Sequence, residues 1–203
     1  TGASNTALGS NSLLANTTAG ENTALGFRAM CKTTTGCQNT AVGTNVMRQN
    51  TAGDQNVAIG YRALDANTTA DNNIAVGADA LLSNTTGANN TAIGTNGLED
   101  NTTASNNTAV GFSALCDNTT GAGNTAVGRQ ASSKNTTGTQ NVSMGLNTLF
   151  TNTTGDNNTA LGFCAMFSTT TAGNNTAVGK SSLIANTTGG GNVAVGATTG
   201  DAI

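Results

Sequence analysis

The hydrophobic and polar positions of the chain recur every 17 residues from one end of the sequence to the other. An asparagine opens each repeat and a glycine follows four residues later in all twelve repeats, with no insertion between them. The consensus is N-T-A-V-G-x-x-A-L-x-x-N-T-T-G-x-x, and we number its positions 1 to 17. A period this strict predicts structural units that stack on one another along an axis. The repeats begin at Asn5, Asn22, Asn39, Asn56, Asn73, Asn90, Asn107, Asn124, Asn141, Asn158, Asn175 and Asn192.

The length and composition of the repeat favour one architecture. Helical repeats run about 33 to 47 residues per unit, whereas this unit is about half as long and rich in Thr, Val, Asn and Gly, which favour strands and turns. We therefore predict an all-β parallel β-solenoid, in which residues 1–203 form a single domain of twelve coils. We expect a strand at positions 1–4, a corner at the position 5 glycine, a second strand near positions 8–11 and a polar turn at positions 12–17. With coils ~4.8 Å apart, the rod would be roughly 55 Å long.

Two hydrophobic columns are the expected core of this solenoid. Two such side chains bury too little surface to hold a single coil together, so neighbouring coils must contribute the rest. Position 9 is mostly Leu or Met, as in Leu13, Met30, Leu64, Leu115 and Met166. Position 4 is aliphatic in every coil: Leu8, Leu25, Val42, Ile59, Val76, Ile93, Val110, Val127, Met144, Leu161, Val178 and Val195.

Position 3 constrains which side of the strand faces inwards, because it is Ala in eleven coils and Ser143 in the remaining one. Neighbouring strand residues point to opposite faces. An inward position 4 therefore places the alanine outside, where only a covering partner would restrict it to a small side chain. The alternative is that the alanine lines a very thin coil and that position 4 forms an exposed stripe of twelve aliphatic residues. Both arrangements predict a homo-oligomer.

Glycine and asparagine recur for backbone and hydrogen-bonding reasons. The position 5 glycine is expected to supply a positive φ or a close backbone approach at the corner. Asparagines at positions 1 and 12 are expected to stack into ladders, in which each side-chain amide bonds to the coils above and below. These ladders need no ligand. The residues that we expect to form this structural framework include Asn22, Asn39, Asn56, Asn73, Gly26, Gly43, Gly60 and Gly77.

Charge and aromatic content argue against several classes of function. Charged residues make up 8% of the chain and aromatic residues 3%, and the formal net charge is −3. A nucleic-acid-binding protein needs a basic stripe or aromatic platforms on which bases stack, and the sequence has neither. The apolar runs are only a few residues long, so no membrane span is predicted.

The sequence carries no recognisable catalytic or metal-binding set. Histidine is absent, and acids such as Asp54, Asp71 and Asp156 occupy position 16 in only some coils. Glu99 and Asp100 form the only acidic dipeptide, which a solvated turn explains better than a catalytic carboxylate pair. The glycines follow a structural period and not the arrangement of a phosphate-binding loop. We predict that the protein is not an enzyme and binds no cofactor or metal.

N-glycosylation and a disulfide are the candidate modifications. Asn-Thr-Thr is an acceptor sequence for N-glycans, although Asn and Thr are also ordinary turn formers, and glycans ~5 Å apart on successive coils would be crowded. Cys31 and Cys37 lie six residues apart in one coil and are a candidate disulfide; the alternative is that they have no special role. The candidate glycosylation sites are Asn16, Asn67, Asn84, Asn101, Asn118, Asn135, Asn152 and Asn186, with further acceptor sequences at Asn89, Asn106, Asn141, Asn157 and Asn174.

The blocks NTAVGTNVM, NTAIGTNGL and NTALGFCAM, together with the recurrent NTTG, resemble the tandem repeats of phage tail-fibre-like and bacterial surface proteins. They are also similar to the N-S-V-A-I-G-x-x-A coils in the heads of trimeric autotransporter adhesins. Those heads are left-handed parallel β-rolls of three chains packed about an axis, and they attach to host surfaces. The similarity recurs in every coil, although the 17-residue period is longer than the adhesin coil. The resemblance implies a fibre and a role in attachment.

Three functions follow as hypotheses. The first is a structural fibre segment outside the cell or on a virion or cell surface, with copies of the chain associating laterally or end to end. The second is an adhesin or tail-fibre shaft that binds host surface glycans through positions 6, 7, 10 and 11, although no unbroken aromatic ladder is present there. The third is ice binding, which the adjacent Thr17 and Thr18 support poorly because neighbouring strand residues point apart.

Overall fold

A computed structural model describes residues 2–200 as one continuous stack of coils. Each coil contributes one three-residue strand to a single twelve-stranded parallel sheet, and the strands follow one another in chain order. Each strand residue pairs with the residue 17 positions further on, as in Ala24 with Ala41. The predicted parallel β-solenoid is confirmed. The strands are β1 (Thr6–Leu8), β2 (Thr23–Leu25), β3 (Thr40–Val42), β4 (Val57–Ile59), β5 (Ile74–Val76), β6 (Thr91–Ile93), β7 (Thr108–Val110), β8 (Thr125–Val127), β9 (Val142–Met144), β10 (Thr159–Leu161), β11 (Thr176–Val178) and β12 (Val193–Val195).

The prediction of a second strand near positions 8–11 is wrong, because those residues form turns. Positions 7 and 9 have left-handed backbones, as at Arg62 and Leu64, both with a φ of 53°. Such residues bend the chain and prevent a straight strand. Backbone hydrogen bonds between coils nevertheless continue through the turn, as from Leu64 N to Ala80 O at 2.9 Å.

The interior of the coil is thin and is filled from two sides. The alanine of position 3 is fully buried in the central coils, as at Ala58, and it shares the interior with the position 9 side chain, as at Leu64. Ile59, at position 4, is 41% exposed. Placing position 4, from Leu8 to Val195, in the core was therefore wrong, and the alternative with the alanine inside is correct. Because each strand has three residues, only its middle residue points inwards.

The position 5 glycine allows two backbones to approach closely at the corner. Gly60 has a φ of 135°, in the region that side chains rarely adopt. A Cβ at Gly60 would lie 2.4 Å from the carbonyl oxygen of Gly77 in the next coil. Gly26 and Gly43 have a φ of 136° and 135°. Both reasons that we expected for this glycine therefore apply.

The asparagine of position 1 links coils and closes its own coil. The Oδ1 of Asn22 accepts a hydrogen bond from the backbone N–H of Asn39 at 2.9 Å. The Nδ2 of Asn22 donates to the carbonyl of Gly36 in the same coil at 2.9 Å. Asn56 and Asn73 repeat these contacts, and all four framework asparagines are buried. Each amide therefore joins the sheet to the turn on the opposite side of the coil.

One pair of serines interrupts the apolar interior. Ser132 replaces the usual leucine at position 9, and Ser143 replaces the alanine at position 3 of the next coil. Their hydroxyl oxygens lie 2.8 Å apart in the buried interior. The two substitutions compensate one another, because each hydroxyl supplies the hydrogen-bonding partner that the other needs.

Candidate interaction surface

The outer side of the sheet carries two columns of outward-pointing residues, at positions 2 and 4, which we call the sheet face. Position 4 is aliphatic throughout, and it is 41% exposed at Leu25, 42% at Ile93 and 45% at Met144. Position 2 is Thr in eight coils and Val or Ile in the other four. The sheet face is therefore an uninterrupted apolar strip with a row of hydroxyl groups along one side.

The dimensions of the sheet face follow from strand geometry. Twelve strands ~4.8 Å apart and two columns of side chains ~6.6 Å apart give a footprint of roughly 380 Å². This lies within the range of the largest apolar patches that monomeric proteins expose, about 300–600 Å². Its regularity comes from the coil register, which places residues of the same type directly above one another.

The turn on the opposite side of the coil is polar and is bonded within the chain. The hydroxyl of the position 13 threonine donates to the carbonyl of the same position in the next coil, as from Thr85 Oγ1 to Thr102 O at 3.0 Å. The position 14 threonines, such as Thr86, are exposed. Thr17 and Thr18 belong to these two columns, and Thr17 Oγ1 likewise donates to Thr34 O at 2.8 Å. The paired threonines thus form two different columns: the hydroxyls of position 13 bond to the next coil, whereas position 14 is exposed.

The Asn-Thr-Thr asparagines lie in the interior, where the fold leaves no room for a glycan. Both hydrogens of Asn101 Nδ2 are used, in bonds to Asn84 Oδ1 at 2.9 Å and to Ala104 O at 3.0 Å. A glycan on Nδ2 would replace one of these hydrogens and fill the coil. The folded chain is therefore incompatible with the candidate sites at Asn67, Asn84, Asn101, Asn118, Asn135, Asn152 and Asn186, which are at most 3% exposed.

Other acceptor sequences lie at the surface. Asn89, Asn106, Asn157 and Asn174, at position 17, are exposed, whereas Asn141, at position 1, is buried. Asn16 is partly exposed, and its Nδ2 donates to Ala19 O at 3.2 Å. Glycosylation at the four exposed asparagines of position 17 stays a prediction.

The cysteines are free thiols. Cys31 Sγ contacts the carbonyl of Arg48 at 3.7 Å, and Cys37 Sγ contacts the carbonyl of Thr35 at 3.3 Å. The candidate disulfide between Cys31 and Cys37 is therefore not formed, since their sulfur atoms bond to backbone groups at different corners of the coil. Burial, together with the neighbouring carboxylates of Asp117 and Glu99, raises the pKa of Cys116 to about 12. This thiol is protonated at neutral pH.

Sequence reasoning missed two features of this surface. The first is the role of position 2, which stands beside position 4 on the sheet face; an inward alanine at position 3 implies this by strand alternation. The second is the grouping of charged side chains by edge of the coil. That grouping appears only when the residues are sorted by repeat position instead of along the chain.

The fold and this surface define the chain as a parallel β-solenoid repeat protein. Neither a protein-family model, nor a curated protein, nor a solved structure matches it. Among residues 2–200 there is no helix long and apolar enough to cross a bilayer. The same residues contain no group of three or more Cys, Asp or Glu side chains that could hold a metal ion.

Proposed function

We propose that the chain is a structural rod segment of a homo-oligomeric fibre, outside the cell or on a virion or cell surface, and that it acts without catalysis. The observation that carries this proposal is the sheet face, which runs along all twelve coils and whose position 4 column is apolar along its whole length. A surface that repeats at the spacing of the coils is complementary to a partner whose surface repeats at the same spacing. A second copy of the chain has that property.

The flanking residues support self-association over the binding of surface glycans. Position 6 carries Phe27, Tyr61, Phe112 and Phe163, which are 43–52% exposed. Arginine side chains lie over three of these rings, at 5.0 Å from the Phe27 centroid, 5.1 Å from Tyr61 and 5.9 Å from Phe112. They occupy ring faces on which a sugar would stack. The aromatic residues therefore fit the rim of a protein interface better than a sugar-binding ladder.

A charged side chain on the sheet face tests the proposal. Val76→Lys and Val110→Lys together place two ammonium groups at position 4, where they point to solvent in a single chain but would be buried between copies. We expect this double variant to sediment as a monomer, with the β-sheet circular dichroism of the wild type. The matched control is Thr86→Lys with Thr120→Lys, at exposed position 14 of the same two coils, and it should keep the wild-type mass. Equal masses for both variants would contradict the proposal.

Ordering of water is the second candidate function for the same surface. The sheet face presents rows of Thr beside rows of aliphatic residues, in register from coil to coil, and such an array could hold water in a regular lattice. The two functions exclude one another, because a face covered by another copy is not available to water. A wild-type monomer that lowers the freezing point below the melting point of ice would favour this alternative.

A further inference from the structure

The charged side chains are sorted by edge of the coil. Positions 16 and 17, which we call the acidic edge, carry four acidic residues and no basic one: Glu21, Asp54, Asp71 and Asp156. Positions 6 and 7, which we call the basic edge, carry four basic residues and a single acidic one, Asp79. The basic residues of that edge are Arg28, Arg62, Arg129 and Lys180. The charged residues of the third edge, at positions 10 and 11, are partly neutralised by the ion pairs Arg48–Asp65 and Lys134–Asp117.

The acidic and basic edges flank the sheet face on opposite sides. The chain enters each strand from positions 16 and 17 and leaves it through positions 5 to 7. The three-residue strand β2, which spans ~10 Å, lies between Glu21 and Arg28, and the chain bends at both of these residues. The two edges therefore do not neutralise one another within one chain.

The carboxylates of the acidic edge have no basic partner within the described chain. Asp54 Oδ1 accepts a hydrogen bond from Cys37 N at 2.6 Å, and Asp71 Oδ1 accepts one from Asp54 N at 2.7 Å. Glu21 is exposed and accepts a hydrogen bond only from the Gln38 side chain, at 2.9 Å. On the basic edge, Arg62 pairs with Asp79 at 2.8 Å. Arg28 is exposed and lies over the Phe27 ring.

The two orientations of neighbouring copies differ in which edges meet. Copies related by rotation about the rod axis run in the same direction, and the basic edge of one copy then lies beside the acidic edge of the next. Copies that run in opposite directions bring acidic edges together and basic edges together. Like charges placed side by side at an interface disfavour association. The charge pattern thus favours parallel copies.

Rotation about the axis also fixes the axial register, because all copies of a closed ring lie at one height. At that height Arg28, in the second coil, faces Glu21, which directly precedes that coil. Arg62, in the fourth coil, lies level with the gap between Asp54 and Asp71, at the ends of the third and fourth coils. Asp156 lies within about two coils of both Arg129 and Lys180. Arg28 and Arg62 therefore lie level with acidic residues of the neighbour without any axial shift.

We propose that the basic edge of each copy binds the acidic edge of a parallel, unshifted neighbour, with Arg28 opposite Glu21. This inference rests on the self-association proposed above and specifies its orientation and register. The sheet face supplies the apolar contact between the copies, and the edges select which way the partner runs.

A charge-reversal cycle measured by sedimentation equilibrium at low salt tests this arrangement. Arg28→Glu and Glu21→Arg should each raise the dissociation constant roughly three- to tenfold, by replacing attraction with repulsion at each contact, and high salt should remove the effect. The chain with both reversals should return towards the wild-type value, because the opposed charges are again opposite. The controls are Lys32→Glu and Asp100→Arg, exposed residues of the third edge, which should leave association unchanged.

The outcomes separate the two proposals. If the wild type associates but the double reversal is no better than the single changes, the parallel and unshifted arrangement is wrong, while self-association stands. If the wild type is a monomer throughout the concentration range, self-association itself fails and the arrangement fails with it.

Discussion

The turn side and the sheet side of each coil differ in where their groups find partners. On the turn side, Asn118 Nδ2 donates to Asn101 Oδ1 at 3.0 Å and to Gly121 O at 3.0 Å, both within the chain. On the sheet side, the inward alanine is covered, but the aliphatic residue beside it is exposed in a single chain. The coils above and below therefore satisfy the hydrogen-bonding groups of the turn. The sheet face, in contrast, can be covered only by another molecule that lies beside the rod.

Two threonines replace asparagine in the position 12 ladder, and they differ in the number of buried polar atoms that they leave unpaired. Thr33 is fully buried, and its hydroxyl has no partner; Asn16 Oδ1, in the preceding coil, has none either. Thr169 Oγ1 instead donates to Asn186 O at 3.1 Å, and the Oδ1 of the preceding Asn152 accepts from Gly155 N at 3.1 Å. The interruption at Thr33 therefore leaves two buried polar atoms unpaired, whereas both corresponding atoms at Thr169 have partners.

The largest expected effect comes from removing a central amide of the ladder. Asn101→Ala leaves Asn84 Oδ1 and one hydrogen of Asn118 Nδ2 without partners in the interior, and it adds a cavity. We expect the free energy of unfolding in urea to fall by about 2–4 kcal/mol. Thr103→Ala, at an exposed position of the same turn, should change it by less than about 0.5 kcal/mol. Similar losses for both variants would show that the ladder does not hold the turn.

A smaller effect of opposite sign is expected from repairing the first interruption. Thr33→Asn supplies an Nδ2 donor for Asn16 Oδ1 and an Oδ1 acceptor for Asn50, so the buried atoms become paired. We expect the free energy of unfolding to rise by about 1–3 kcal/mol. An unchanged or lower midpoint in urea would contradict the assignment of these atoms as unpaired.

The smallest effect is expected at the second interruption. Thr169→Asn exchanges a satisfied hydroxyl for an amide, so the free energy of unfolding should change by less than about 1 kcal/mol. Comparison with Thr33→Asn by the same urea titration separates the two coils. A gain at Thr169 as large as that at Thr33 would mean that residue type alone, and not the missing partner, sets the cost.

Much of the fold follows from the sequence because the period constrains every coil alike. Asparagine and glycine recur every 17 residues from Asn5 and Gly9, and this spacing determines the coil length. The small residue at position 3 left two alternatives for which side of the strand faces the interior. The second strand could not be excluded from propensity, since a left-handed backbone at Leu64 is unusual for a leucine and is imposed by the tight turn. The asparagine ladder of position 12 was predicted, but the burial of Asn101 was not, because Asn-Thr-Thr is also typical of a surface turn.

The compensating serines show a limit of a different kind. Ser143 departs from the alanine column and Ser132 from the leucine column, and the sequence separates them by eleven residues. Only the inward direction of both positions explains why the two changes occur together. The same limit applies to position 4, because its hydrophobicity alone does not determine which side of a three-residue strand faces inwards.

The mass of the wild-type chain in solution tests the central claim, that the sheet face is covered by further copies of the chain. Native mass spectrometry at micromolar concentration should give an integer multiple of the 19.9 kDa chain mass. A species of 19.9 kDa alone, with an intact β-sheet signal, would contradict it.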